Sequence, residues 1–163
     1  MNALKWTLTA TAMAALLAVG APLQAQTAAH DHGSGAPQAL QLNQGQKWGT
    51  DAPLRKGMDN IRGLVAPKLT AAHAGKLQPA QYRELAGKLE NEVGFIVQNC
   101  KLAPDADAQL HLVIADIGAG LDAMNGKTAG TDPADGLMRV AQAVNQYRTH
   151  FDHPGLRALP VAH

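Results

Sequence analysis

The sequence predicts an all-α protein: an antiparallel four-helix bundle preceded by a signal peptide and a flexible tail. Three observations predict this fold. Apolar residues recur at intervals of three and four positions in four separate segments, which is the spacing of an amphipathic helix. No segment shows the alternating pattern of a β-strand. The connections between the four segments are short, which favours antiparallel neighbours and hence an up-and-down bundle.

Residues 1–25 have the features of a secretory signal peptide. Lys5 supplies a basic start, residues 8–20 are apolar and rich in alanine, and small residues precede a cleavage site after Ala25. The apolar run is shorter than the roughly 20 residues that a membrane-spanning helix needs. We therefore expect a protein without a membrane span that is exported to the periplasm or secreted.

Residues 26–47 are predicted to form the flexible tail, because they are rich in Gly, Gln, Ala and Ser and have no helical period. The bundle is predicted to occupy residues 48–163. Its first helix begins at Thr50 or Asp51, either of which can cap it, with Pro53 in the first turn. The apolar stripe of this helix consists of Leu54, Met58, Ile61 and Val65.

The second helix is predicted to begin at Pro79, directly after Gln78, and it carries the longest regular stripe in the chain. Residues 70–78 form the connection before it, and only a few residues separate it from the third helix. Because such short loops leave no room for a crossover, the second and third helices are expected to be antiparallel neighbours. The stripe of the second helix consists of Tyr82, Leu85, Leu89, Val93, Ile96 and Cys100.

The third and fourth helices are bounded by proline and glycine. The third begins at Pro104 with acidic residues that suit the positive end of the helix dipole, and it ends at Asn125 and Gly126. Its stripe consists of Leu110, Val113 or Ile114, Ile117, Leu121 and Met124. The fourth begins in "TDPADG" and is stopped by Pro154 and Gly155. Its stripe consists of Leu137, Val140, Val144, Tyr147 and Phe151.

The composition argues against several classes of function. Without the signal peptide, 13 basic residues (14 less Lys5) face 13 acidic ones, and a nucleic-acid partner would need a clustered basic face. The only serine after the signal peptide is Ser34, in the tail, and Cys100 lies on an apolar stripe that suits an inert thiol. HExxH, phosphate-loop and GxGxxG motifs are missing. We therefore predict a binding protein rather than an enzyme.

The tail contains a candidate site for a transition metal. His30 and His32 flank Asp31, and such short histidine-rich tracts can hold Cu(II), Ni(II) or Zn(II). The alternative is that these residues are part of a solvated polar tail. Among the metals, copper is our first choice.

A second candidate metal site lies in the bundle. Cys100, His111, Met58 and Met124 offer the thiolate, imidazole and thioether donors that copper prefers. The rise of an α-helix places His111 roughly 9 Å beyond Cys100 along the bundle, which argues against direct pairing of the two. The alternative is a thiol buried in the core and a histidine hydrogen-bonded at the bundle edge.

His150, in "NQYRTHFDHPG", supports a different hypothesis. Met58 and His150 lie on antiparallel neighbouring helices, at the same end of the predicted bundle. In layout, "APLRKGMDNI" and "AQAVNQYRTHF" resemble the helical-bundle cytochromes, namely cytochrome c-prime and the soluble periplasmic cytochrome b. The resemblance implies that Met58 and His150 are axial haem ligands. Gln146 and Thr149 stand where the haem-attaching CxxCH motif has its cysteines, so a non-covalent b-type haem for electron transfer or haem carriage is implied.

A second resemblance covers more of the chain. The segments "KWGTDAPLRKGMDNI", "NCKLAPDADAQLHLVIADIGAG" and "RTHFDHPG" are similar to a group of small exported bacterial helical-bundle proteins of unassigned function. This resemblance implies an exported helical bundle and implies no activity. Three hypotheses are therefore open: a transition-metal binder, a b-type haem protein, and a structural or partner-binding bundle without a cofactor.

Two further expectations concern single residues. His153, beside Pro154, is expected past the end of the fourth helix as a terminal polar residue or a weak helix cap. Gly118 and Gly120 interrupt the third helix, at a cost of about 1 kcal/mol each relative to alanine. Close approach of a neighbouring helix or room for a flat ligand would offset this cost, and close packing is the simpler interpretation.

Overall fold

The computed structural model describes residues 39–161, which contain four α-helices and no extended β-strand. The helices are α1 (Ala52–His73), α2 (Pro79–Asn99), α3 (Pro104–Met124) and α4 (Pro133–His150). Each helix packs against the next one in the chain, and α4 also packs against α1, which closes the bundle. The predicted all-α four-helix bundle is confirmed. None of these four helices is long and apolar enough to cross a membrane. The predicted signal peptide and residues 26–38 of the predicted tail lie outside the described residues.

The helices begin where the sequence predicts. The carboxylate of Asp51 accepts a hydrogen bond from the backbone N–H of Leu54 at 2.9 Å, so Asp51 rather than Thr50 caps α1. Asp132 caps α4 in the same way, through the N–H of Ala134 at 2.8 Å. All four helices have a proline in the first turn, where the missing N–H costs nothing.

The end of α1 differs from the prediction. The sequence placed residues 70–78 in a connection, whereas α1 continues to His73. Pro67 lies inside this helix, on its exposed side, and interrupts one intrahelical hydrogen bond without ending the helix. Leu69 and Ala72, beyond the proline, are buried in the core, and their burial offsets the cost of Pro67.

The four predicted stripes form the core. Of the predicted stripe positions, Val93, Cys100 and Ile114 are half-buried, and the others are buried. Tyr147 and Phe151 stack with their ring centroids 5.0 Å apart at the end of α4. Aliphatic side chains fill most of the remaining core, which agrees with the small number of aromatic residues in the chain.

A pair of glycines lets α3 and α4 approach closely. A Cβ atom added to Gly120 would lie 2.7 Å from the carbonyl oxygen of Gly136, and one added to Gly136 would lie 2.6 Å from that of Gly120. Close packing is therefore the reason for Gly120. It is not the reason for Gly118, where an added Cβ would meet no atom within 4 Å.

Two short arms complete the fold, the N-terminal arm (residues 39–50) and the C-terminal arm (residues 151–161). The N-terminal arm includes residues 39–47, which the sequence assigned to the tail. Its Leu40 packs against the core, and the N–H of Gln41 donates to the side chain of Gln109 at 2.7 Å. The C-terminal arm returns along α4, where Asn145 exchanges two hydrogen bonds with the backbone of Leu159, at 2.8 and 2.9 Å.

Candidate functional site

His150 lies in the last turn of α4, and its imidazole is half-buried. Its Nδ1 atom lies 2.8 Å from the carbonyl oxygen of Gln146, one helical turn earlier. Because a carbonyl oxygen only accepts hydrogen bonds, Nδ1 of the neutral ring must carry the proton and donate it. The ring then keeps its lone pair on Nε2, the atom that can bind a metal or accept a hydrogen bond.

His150 belongs to a groove between α3 and α4, with a volume of about 680 Å³, which we call the α3–α4 groove. The apolar residues that line it are Ala39, Leu40, Leu112, Val113 and Ala115. Its polar lining residues are Asp116, Gln146 and His150. Small-molecule sites in proteins have this range of volume and this mixture of apolar walls and a few polar groups. Sequence reasoning singled out His150 but not Asp116 or Gln146, because nothing in the sequence shows that α3 and α4 share this groove.

His111 has the same hydrogen-bonding arrangement in a more open setting. Its Nδ1 atom lies 2.9 Å from the carbonyl oxygen of Asp107 and 3.4 Å from the carboxylate of the same residue. The side chain is mostly exposed, and it is not among the residues that line the α3–α4 groove. The His111 side chain is therefore more exposed to solvent than that of His150.

The structure does not place Met58 in the groove of His150. Met58 is 1% exposed and packs in the core on α1, whereas His150 lines the groove between α3 and α4. A haem with both residues as axial ligands would need a place in the core that Leu54, Ile61 and other buried side chains occupy. The pairing of Met58 and His150 stays a hypothesis without support from the packing.

The other sulfur donors are also poorly placed for a metal. Met124 is 1% exposed in the core at the end of α3. Cys100 is half-buried at the C-terminal end of α2, and burial, with smaller effects from Asp51 and Asp107, raises the pKa of its thiol. A raised pKa keeps the thiol protonated at neutral pH, and a protonated thiol is a weak ligand.

Among residues 39–161, no three His, Cys, Asp or Glu side chains are grouped as ligands of a metal ion. The predicted tail ligands His30 and His32 lie outside the described residues. The imidazoles of His111 and His150 are thus the predicted bundle ligands with an accessible lone pair.

His153 is the residue that sequence reasoning placed wrongly. It does lie past the end of α4, but it is 8% exposed rather than a terminal polar residue. Its Nδ1 atom lies 3.2 Å from the hydroxyl oxygen of Tyr147, and its Nε2 atom lies 3.4 Å from the carboxylate of Asp59. The apolar residues Leu156 and Leu159 follow the turn at Pro154, and they are the signal that the chain packs back on the bundle here.

Tyr147 and His153 form a buried polar contact inside the apolar core. The carboxylate of Asp59 favours a proton on Nε2 of His153, which leaves Nδ1 to accept a hydrogen bond from the Tyr147 hydroxyl. Burial raises the pKa of Tyr147, and nearby carboxylates, including that of Asp59, add to this effect against the opposing charge of Arg55. Because the hydroxyl of Tyr147 stays protonated and is enclosed in the core, it has a structural role rather than that of a nucleophile.

Comparison of the chain with family models, with curated proteins and with solved structures finds no match. Its own residues therefore have to indicate its chemistry. Among the described residues, the candidate groups are the imidazoles of His111 and His150 and the mostly apolar α3–α4 groove.

Proposed function

We propose that this chain is an exported protein that binds a transition metal through imidazole nitrogens, with Cu(II) as the first metal to test. The proton position in His111 and His150 carries the proposal. In both rings Nδ1 donates to a backbone carbonyl, at 2.9 and 2.8 Å, and Nε2 is left for the metal. Metal-binding histidines in proteins commonly have such a partner, because the hydrogen bond orients the ring and raises its basicity.

The type of donor favours Cu(II) over Cu(I). Cu(I) prefers thiolate and thioether ligands, whereas imidazole suits Cu(II), Ni(II) and Zn(II). Both candidate thioethers, Met58 and Met124, are 1% exposed, and the pKa of the Cys100 thiol is raised by burial. The bundle ligands of this proposal, His111 and His150, offer imidazole nitrogens, so the proposal is for a metal that nitrogen ligands hold well.

The proposal assigns the capture of the metal to His30 and His32. These two imidazoles and the carboxylate of Asp31 are adjacent in the sequence, so a single short segment can offer three donors to one ion. Export through the signal peptide at residues 1–25 is part of the same proposal. His111 and His150 are then additional imidazole sites on the bundle, each able to bind a metal with fewer protein ligands and lower affinity.

Calorimetric titration of the mature chain, residues 26–163, with Cu(II) tests this proposal. The double variant His30→Ala, His32→Ala is expected to lose affinity at the tightest site by about tenfold or more, because two of its ligands are gone. Electron paramagnetic resonance of the bound Cu(II) is expected to show nitrogen ligands. His73→Ala is the matched control: its Nδ1 atom also lies 2.9 Å from a carbonyl oxygen one turn earlier, so the variant removes one imidazole of the bundle and is expected to leave the affinity of the tightest site unchanged.

An unchanged Cu(II) affinity in the double variant would contradict the assignment of His30 and His32. If the unmodified protein binds no Cu(II), Ni(II) or Zn(II), the proposal of metal binding fails and a structural or partner-binding bundle is favoured. Addition of haem in parallel tests the haem hypothesis, since a haem absorption band that disappears in both Met58→Ala and His150→Ala would support it.

A further inference from the structure

Apart from His150, the lining of the α3–α4 groove has chemistry that metal binding does not use. Its walls combine Leu40 of the N-terminal arm with Leu112, Val113 and Ala115 of α3, so most of its surface suits an apolar body. Transfer of an apolar group from water to such a surface is favourable in proportion to the area covered. The volume of about 680 Å³ is in the range of sites for small organic molecules.

The polar side of the groove accepts hydrogen bonds and carries negative charge. In the neutral ring of His150, a proton on Nδ1 donates to the backbone carbonyl of Gln146, and Nε2 is then an acceptor. Asp116 contributes a carboxylate, and no Lys or Arg side chain lines the groove. A ligand that matches these groups must offer hydrogen-bond donors and a positive charge.

Arg139 pairs with only one of the two carboxylate oxygens of Asp116. One of its guanidinium nitrogens donates to one carboxylate oxygen of Asp116 at 2.9 Å, and both side chains are about half-exposed. An ion pair this exposed is weak and exchanges readily with water and other cations. Asp135, which lines the adjoining depression together with Arg139, adds a second negative charge at this end of the groove.

We propose that the α3–α4 groove binds an apolar amine, a molecule with an aromatic or aliphatic body and a protonated amino group. The body lies against Leu112, Val113 and Leu40. The ammonium group donates hydrogen bonds to Nε2 of His150 and to the carboxylate of Asp116. Apolar carboxylates of the same shape are expected to bind more weakly, because they would place an anion beside Asp116, and the amide of Gln146 is the only side-chain donor among the polar groups that line the groove apart from the ring of His150.

A matched pair of probes tests the proposal. Naphthylethylamine and naphthylpropionate have the same apolar body and opposite charges at neutral pH. In the presence of EDTA, which removes metal ions, the amine is expected to bind the mature chain with a dissociation constant of roughly 1 mM, the order set by the size of the probe. The propionate is expected to bind more weakly by about tenfold or more. Backbone amide signals of Leu112, Ala115 and Gln146 are expected to shift with the amine.

Two substitutions on the same ion pair separate the roles of its partners. Asp116→Asn removes the negative charge and is expected to weaken binding of the amine by about fivefold. Arg139→Gln breaks the same ion pair but keeps the carboxylate, so binding is expected to be unchanged or tighter. His150→Ala is expected to weaken binding of the amine, whereas His111→Ala is not.

Equal affinity for the amine and the propionate would overturn the proposal, as would equal effects of Asp116→Asn and Arg139→Gln. Shifts confined to residues outside the groove would also overturn it. Because EDTA is present throughout, this experiment is independent of Cu(II) binding, and either proposal can fail while the other holds.

Discussion

The histidines of the bundle fall into two environments. In His73, His111 and His150, Nδ1 lies 2.8–2.9 Å from the carbonyl oxygen one helical turn earlier, so the proton position is set by the helix itself. In His153, both ring nitrogens lie near side chains, those of Tyr147 and Asp59. In the first group only Nδ1 is held by the helix, whereas His153 is enclosed and both of its ring nitrogens contact other side chains.

Tyr147→Phe is expected to destabilise the protein by about 1–3 kcal/mol at neutral pH. The substitution keeps the aromatic ring, which stacks on Phe151, but removes the hydroxyl beside Nδ1 of His153. That nitrogen would then be buried without a hydrogen bond. Urea unfolding measures the change. Tyr82→Phe is the control, because the Tyr82 hydroxyl makes no hydrogen bond among residues 39–161; an equal cost in both variants would contradict the prediction.

The same two variants have a common effect at alkaline pH. Burial raises the pKa of Tyr147 and of Tyr82 above the value of about 10 that tyrosine has in the unfolded chain. The unfolded chain therefore loses these protons first, and the stability that the neutral hydroxyls contribute below pH ~10 is lost as the pH rises above it. Each Phe variant is expected to show a shallower decline in the free energy of unfolding above pH ~10. A decline as steep as that of the unmodified protein would contradict this expectation.

At the scale of helices, the pairing of α3 with α4 depends on two glycines at their contact. Gly120 and Gly136 let the two backbones meet, and this contact holds the helices that form the α3–α4 groove. Gly118 lies two residues from Gly120 but faces open space. Gly118 and Gly120 are therefore expected to differ in their effect on stability, and substitution of each with alanine tests this difference.

Gly120→Ala is expected to destabilise the protein by about 1–3 kcal/mol, because the new methyl group would contact the backbone of Gly136 and a branch of Val140, and backbone cannot move aside at low cost. Gly118→Ala is expected to stabilise the protein by about 0.5–1 kcal/mol, since alanine loses less conformational entropy in a helix and here meets no atom. Urea unfolding of both variants measures whether each substitution lowers or raises the free energy of unfolding. A stabilising Gly120→Ala would show that α3 and α4 do not pack as described.

At the scale of the whole molecule, the two arms join at the end of α4. The backbone N–H of Trp48 donates to the carbonyl of His150, and the N–H of Asp152 donates to the carbonyl of Trp48, both at 2.8 Å. The hydroxyl of Thr50 also donates to the carbonyl of Asp152, at 2.6 Å. These bonds link the chain just before α1 to the chain just after α4, so the arms are part of the same packing unit as the bundle.

The fluorescence of Trp48 is therefore expected to change together with the helical signal during unfolding. Trp48 is the only tryptophan in residues 26–163, because Trp6 lies in the predicted signal peptide, and it reports on the contact between the arms. In urea, the midpoints from fluorescence and from far-ultraviolet circular dichroism are expected to coincide, as in a two-state transition. A fluorescence midpoint at lower urea would show that the arms detach before the bundle unfolds.

The sequence by itself determined the helices and the residues they bury. The recurrence of Leu, Val, Ile and Met every three or four residues is a local property of the sequence. It also decides which face of a helix is buried. Asp51 and Asp132 mark helix starts for an equally local reason, because each side chain bonds to an N–H within three residues. The candidate ligands His111 and His150 were predicted from their residue type and their place on a helix.

Only the tertiary structure decided which side chains meet across the bundle. His153 is buried because the C-terminal arm folds back onto α1 and α4, and Met58 lies apart from the α3–α4 groove because α1 turns it into the core. Asp116, Gln146 and His150 line one groove because α3 packs against α4. Contacts between side chains of different helices depend on how each helix is rotated and packed against its neighbours. The apolar period of a single helix does not specify that rotation.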